Sequence, residues 1–183
     1  MRVFHLNCEE VAEVVRELEA GDVVYLTGKV VTARDRAHMR IVELLDSGRK
    51  SDIPEEVFSC PIYHCGPLLR RGKKGIEVVS AGPTTSARMN PYAPKLLELT
   101  SCPVIIGKGG MGEEVRRALM GKGVYLAFPG GAGALAADRI ENVEKVYWED
   151  LGMAEAVYVF RVRNFGPCVV GIDSKGNSLY SFS

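Results

Sequence analysis

Apolar residues recur along this chain with two different periods. Over Glu9 to Ala20, Val11, Val14, Val15 and Leu18 fall on one side of a 3.6-residue repeat that Gly21 closes, which predicts a helix. Asp22 to Val31 is rich in β-branched residues and reads as a strand. Asp35 to Ser47 places Ala37, Ile41, Leu44 and Leu45 on one face, with Asp35 as the expected N-cap. Gly48 to Glu56 reads as a polar loop, and Cys60 to His64 as a short strand. Arg70-Arg71-Gly72-Lys73-Lys74-Gly75 reads as a solvated hairpin-like turn rather than a site. Further on, strands are predicted over Ile76 to Ser80, Pro103 to Ile106 and Gly123 to Phe128. Helices are predicted over Tyr92 to Leu99, where the first turn tolerates Pro94, and over Gly112 to Met120, bounded by Gly121. A short Ala-rich helix follows, then strands near Val143 to Trp148, Val157 to Val162 and Cys168 to Ile172. Strand and helix alternate in the middle and extra strands close the chain, which predicts an α/β fold with a mixed sheet. No internal repeat or low-complexity linker interrupts it, so residues 1–183 read as a single domain.

Charge changes this picture little. Lys plus Arg and Asp plus Glu both number 23, so nothing suggests a general nucleic-acid or membrane-surface binder. No apolar stretch approaches the roughly 20 residues of a membrane span. Met1-Arg2-Val3-Phe4-His5 lacks a signal-peptide pattern, so a cytoplasmic location is expected. Cys8, Cys60, Cys65, Cys102 and Cys168 are odd in number, scattered and without a Cys-x-x-Cys spacing. That argues against a disulfide framework and against a metal site within the chain, and for small buried thiols. The local group Cys60, His64 and Cys65 receives no role.

Candidate chemistry gathers after three predicted strands. Ala81-Gly82-Pro83-Thr84-Thr85-Ser86-Ala87-Arg88-Met89 follows a strand that Gly-Pro prevents from continuing. A structural turn would need the Gly and Pro; it would not need three hydroxyls and a guanidinium. Those groups suit a carboxylate or phosphate, with the hydroxyls able to bind a second oxygen or move a proton. Thr32-Ala33-Arg34-Asp35-Arg36-Ala37-His38 leaves Arg34 outside a helix start and His38 about a turn in. A capped helix with surface charges explains that segment equally well. Gly107-Lys108-Gly109-Gly110 offers Lys108 on a backbone that a ligand can approach closely, although its spacing is not that of a Walker A loop. Pro129-Gly130-Gly131-Ala132-Gly133 lacks the dinucleotide-binding spacing and reads as backbone packed close to the site. Arg34, Arg88 and Lys108 with these hydroxyls suit a small dicarboxylate, and the sequence offers no lone nucleophile or general-base pair.

These motifs, in this order, resemble the β subunit or C-terminal domain of class I iron–sulfur hydro-lyases, class I fumarase and L-tartrate dehydratase. The resemblance runs from about Gly21 to Tyr180 and adds Ile106-Gly107-Lys108-Gly109-Gly110-Met111, Gly130-Gly131-Ala132-Gly133-Ala134-Leu135, Trp148-Glu149-Asp150-Leu151-Gly152-Met153 and Gly176-Asn177-Ser178-Leu179-Tyr180. It implies a swivelling β/β/α fold and a [4Fe-4S] cluster bound by a separate α subunit in an α2β2-type assembly, with one iron acting as a Lewis acid on the hydroxyl. It implies that Arg34, Thr84, Arg88 and Lys108 bind the substrate carboxylates and that Thr85 is a candidate base. From their place in the same two segments, Asp35, His38 and Ser86 are expected as supporting residues. Reversible hydration of fumarate to (S)-malate is the leading activity. Dehydration of tartrate to oxaloacetate, and a non-catalytic anion-binding module of the same fold, stand beside it. The α-type segment is absent, so this chain alone is expected to be inactive.

Overall fold

The computed structural model describes residues 1–182. Nine strands and six α-helices follow in the order β1 (Val3–Asn7), α1 (Val11–Val14), β2 (Val23–Thr32), α2 (Asp35–Asp46), α3 (Glu56–Ser59), β3 (Ile62–Tyr63), β4 (Leu68–Gly72), β5 (Gly75–Ser80), α4 (Ala93–Leu99), β6 (Val104–Gly107), α5 (Glu113–Leu119), β7 (Val124–Ala127), α6 (Gly133–Asp138), β8 (Ile140–Tyr147) and β9 (Val157–Ile172). The main sheet runs β1-β2-β3-β6-β7-β9-β8, and β2 also pairs with β9. The sheet therefore closes on itself through β2, β3, β6, β7 and β9. Strands β1, β2, β3, β6 and β7 are mutually parallel, and β9 is antiparallel to β2, β7 and β8. The mixed α/β sheet expected from the sequence is present. Strands β4 and β5 form a separate hairpin with Lys73 and Lys74 at its tip, in agreement with the solvated turn.

Adjacent residues of the central strands serve two different cores, as the two-residue period of a strand requires. Tyr63, Ile106 and Leu126 point into the closed sheet with Leu26, Phe128 and Phe165. There the Tyr63 and Phe165 rings meet edge-on at 5.1 Å, and Phe128 lies 4.7 Å from Phe165. Their neighbours turn outward instead. Ile62 packs with Ala37, Ile41 and Leu96, while Ile105 and Tyr125 pack with Met89, Val115 and Leu119 under α4 and α5. With both faces covered, β6 and β7 are runs of consecutive apolar residues.

Four details differ from the sequence expectations. Val3–Asn7 forms β1, a strand whose exposed and half-buried residues alternate and so carry little apolar signal. The first helix is one α-turn followed by a 3-10 turn over Val15–Glu17, because Leu18 goes extended to reach the core. The two C-terminal strands are one bent strand, β9, whose register shifts against β2 and β7 absorb its irregular middle. Asp35 is not the N-cap of α2. Arg34 takes that place with an extended backbone and no side-chain cap, while Asp35 is the first helical residue and its carboxylate goes to Arg88.

Candidate active site

The parallel strands end at one edge of the sheet, and the loops leaving β2, β3, β6 and β7 meet there. In parallel α/β sheets, open or closed, ligands collect at the carboxyl ends of the strands. The segment after β5 enters the same place by adding itself to that edge. Thr84 N–H donates to His64 O (2.7 Å), Lys108 N–H to Thr84 O (3.4 Å) and Ser86 N–H to Lys108 O (3.0 Å). Thr85 and Lys108 are thereby opposite each other in a short parallel bridge. Side chains alternate along an extended segment, so Thr85 shares the face of Lys108 while Ser86 turns inward. Thr85 is exposed and Ser86 fully buried, as this alternation requires.

The glycine-rich loops fit around this bridge. Ala81 N–H donates to Gly133 O (3.1 Å) and Phe128 N–H to Gly107 O (2.7 Å). A Cβ on Gly133 would stand 2.3 Å from Ser80 Oγ and 3.4 Å from Gly82 N, so the two loops touch backbone to backbone. The Lys108 side chain passes over Gly130. The expectation that this last glycine-rich loop packs backbone close to the site is met.

Arg34 and Arg88 come together through carboxylates. Arg88 donates from Nε (3.0 Å) and Nη2 to the two oxygens of Asp35, a fork-on-carboxylate geometry. Arg34 Nε lies 4.0 Å from the same carboxylate and 3.5 Å from Glu155 Oε1. The other Glu155 oxygen accepts the Arg36 N–H at the start of α2 (2.9 Å). Glu155 thus holds the helix start and places a charge beside Arg34, whose Nε makes no hydrogen bond among the described residues. The Arg34 side chain packs so tightly over Gly66 that a Cβ there would lie 2.3 Å from Nη1. Two of the three cations foreseen for the site already carry a carboxylate partner.

His38 and Ser86 lie beneath this surface rather than on it. His38 is buried and its Nδ1–H donates to Arg34 O (2.8 Å), so the foreseen proximity of His38 and Arg34 is real but runs through the backbone carbonyl. Its ring meets that of His64 edge-on at 5.2 Å. Burial pushes both imidazoles below their usual pKa, and the nearness of His38 lowers His64 further, since the two rings would repel if both were protonated. His64, Tyr125 and Glu155 are the residues of this region that sequence reasoning missed.

The cysteines do not form a ligand set. All five are buried free thiols, and burial raises each of them, Cys102 to about 12. Cys60 sits in the outer core and Cys65 inside the closed sheet, so the local Cys60–His64–Cys65 group is divided between layers. Among the described residues no three His, Cys, Asp or Glu side chains are placed to hold a metal ion.

A family model described as the fumarase C-terminus matches residues 1–182. The chain belongs to the class I fumarase and tartrate dehydratase β-subunit family. Similar proteins agree. The L(+)-tartrate dehydratase subunit β of Escherichia coli K12 is 41% identical over 169 residues, covering 92% of this chain and 82% of that one. A Methanocaldococcus jannaschii protein provisionally named as the same subunit is 46% identical over 168 residues, covering 91% and 85%. A Geobacillus stearothermophilus protein provisionally named class I fumarate hydratase is 40% identical over 181 residues, which is 98% of this chain but 34% of that protein. The fumarase-type motifs are thus borne by loops that the fold brings to one edge. Among the described residues no helix is long and apolar enough to cross a membrane.

Proposed function

We propose that this β-type hydro-lyase subunit supplies the carboxylate-binding and proton-transfer face of a fumarate hydratase that is complete only with an α subunit. The observation that carries the reading is the convergence of Arg34, Arg88, Lys108, Thr84 and Thr85 from three loops onto one open edge. Arg88 is half-exposed and holds a carboxylate, Asp35, in the manner in which it would hold one from substrate. A dicarboxylate that displaces Asp35 from the Arg88 fork would meet Arg34, Thr84 and Lys108 with its other groups. Thr85 then takes the proton from the carbon next to the one that loses hydroxide, and the electron pair left behind forms the double bond of fumarate. A threonine hydroxyl is a weak base on its own; an ammonium on the same face stabilises its deprotonated form, and the Thr85–Lys108 bridge provides that face.

The departing hydroxide is left to the partner. The [4Fe-4S] cluster implied by the resemblance is assigned to the α subunit, since the thiols of this chain are buried, raised in pKa and dispersed. The relatives support a divided site: one group are named β subunits, and the fumarase relative is about three times longer than its matching region. An α2β2-type assembly fits this division. The sheet closed on itself beside a helical layer supports a swivelling β/β/α unit that closes over its partner. Five free cysteines suit the reducing cytoplasm.

Tartrate is the second reading, favoured because the separately encoded β chains carry that name. Turnover of malate, fumarate and tartrate by the complex with α decides between them. In that complex, Thr85→Val should lower kcat by about 10²–10⁴-fold, the usual worth of positioned acid–base catalysis. Thr84→Val should act mainly on KM, because its contact is present before and during reaction. A Thr85→Val enzyme within a few-fold of wild-type kcat would remove Thr85 as base and place that role on α.

A further inference from the structure

Behind the Thr85–Lys108 bridge lies a buried polar chain. Tyr125 Oη stands 2.8 Å from Gly109 O and 3.3 Å from Ser86 Oγ, and His64 Nδ1 stands 2.8 Å from Ser86 Oγ. The Ser86 hydroxyl, which can both donate and accept, links the His64 ring to the Tyr125 phenol. The chain runs through His64, Ser86, Tyr125 and Gly109 in that order. His64 Nε2 has no partner among the described residues.

What this chain joins matters more than its length. Ser86 is the residue after Thr85, and Gly109 is the residue after Lys108. The chain therefore fastens the neighbour of one to the neighbour of the other. His64 also holds the loop by its backbone: its O accepts from Thr84 N–H, and its N–H donates to Ile106 O (2.8 Å). Gly107 completes the arrangement, since a Cβ there would lie 1.7 Å from Ser86 Oγ and 3.1 Å from His64 Nδ1. The backbone bridge pairs Thr85 with Lys108, and the hydrogen bonds beneath it hold the side chains of His64, Ser86 and Tyr125 in set directions, which an apolar core at the same positions would not do.

We propose that His64, Ser86 and Tyr125 are positioning residues for proton transfer, setting the spacing of Thr85 and Lys108 from below without touching substrate. The inference rests on Thr85 and Lys108 forming the reacting face. The test is Tyr125→Phe in the complex with α, which removes one hydroxyl and keeps the ring that packs in the core. Expected are a kcat reduced at least about tenfold, a KM for malate within about threefold of wild type, and a larger primary isotope effect on malate deuterated at the carbon that loses its proton. A variant that is merely less well folded would lose active fraction with an unchanged isotope effect. Ser86→Ala, which cuts the chain in its middle, should give the same signature if Tyr125→Phe assembles poorly. Wild-type kcat in both variants, or a reduced kcat with the wild-type isotope effect, would overturn the proposal. A slowed Tyr125→Phe beside an unaffected Thr85→Val would keep the positioning chain and reject Thr85 as base.

Discussion

Arg88 is held by Asp35, so the substrate binding proposed at this residue would exchange one carboxylate for another. What the substrate gains is the difference between two forked contacts, together with whatever Asp35 gains from water or from Arg34. An ammonium in place of the guanidinium would keep the charge but lose the planar fork on either partner. Arg88→Lys is therefore expected to reduce kcat/KM of the assembled enzyme by roughly 30- to 150-fold, on the order of 2–3 kcal/mol for one charge-assisted contact. Steady-state kinetics at low substrate check this, and an unchanged kcat/KM would show that Arg88 stays with Asp35 throughout. At this scale the sequence displays the residues that break its own rules. Thr84, Thr85, Arg88 and Lys108 stand out because hydroxyls and cations sit in glycine-flanked turns where structure alone does not need them. His64 and Tyr125 do not stand out, since each is one polar-tipped ring inside an apolar strand segment and passes for core. Glu155 is hidden for another reason: its partners Arg34 and Arg36 are brought to it only by the fold.

At the scale of elements, the two periods locate most strands and helices because packing demands them. The middle strands β6 and β7 are legible as continuous apolar runs, and the order of alternating strand and helix is enough for a mixed α/β sheet. Closure of that sheet is not legible, because the β2–β9 pairing joins segments far apart in sequence and leaves no local mark. Strand β1 is likewise held by polar contacts that periodicity does not register. The Asp22 carboxylate accepts from Arg2 N–H (3.1 Å), Arg2 Nη2 (2.6 Å) and Glu19 N–H (2.9 Å), tying β1 to the start of β2. Burial alone would raise this carboxyl, but the Arg2 guanidinium and the two backbone N–H groups outweigh it and hold the pKa at about 2. A folded pKa below the unfolded one adds stability above about pH 4, and that stability is lost as pH falls through about 2. Asp22→Asn should thus destabilise the chain by about 1–3 kcal/mol at pH 7, with the gap to wild type closing between about pH 4 and pH 2. Urea unfolding at several pH values measures it, and a gap independent of pH would mean that Asp22 contributes shape rather than charge.

At the scale of the whole molecule, the proposed function divides the site between two chains. Thr85 and Arg88 meet solvent on the edge assigned to substrate, and all five thiols are buried. In that proposal this chain supplies carboxylate binding and proton transfer, and the α subunit the departure of hydroxide. The relatives divide in the same way, into separate β chains and a longer chain of which this one matches about a third. The most direct measurement of the account is anaerobic reconstitution of this chain with its α partner, each prepared alone and then mixed at increasing ratio while malate and tartrate turnover and the iron–sulfur absorption are followed. Neither chain alone should turn over substrate, the cluster absorption should come from α, and activity should rise with added chain and level off at equimolar β and α. A stoichiometric cluster on this chain, or full turnover by either chain alone, would contradict it.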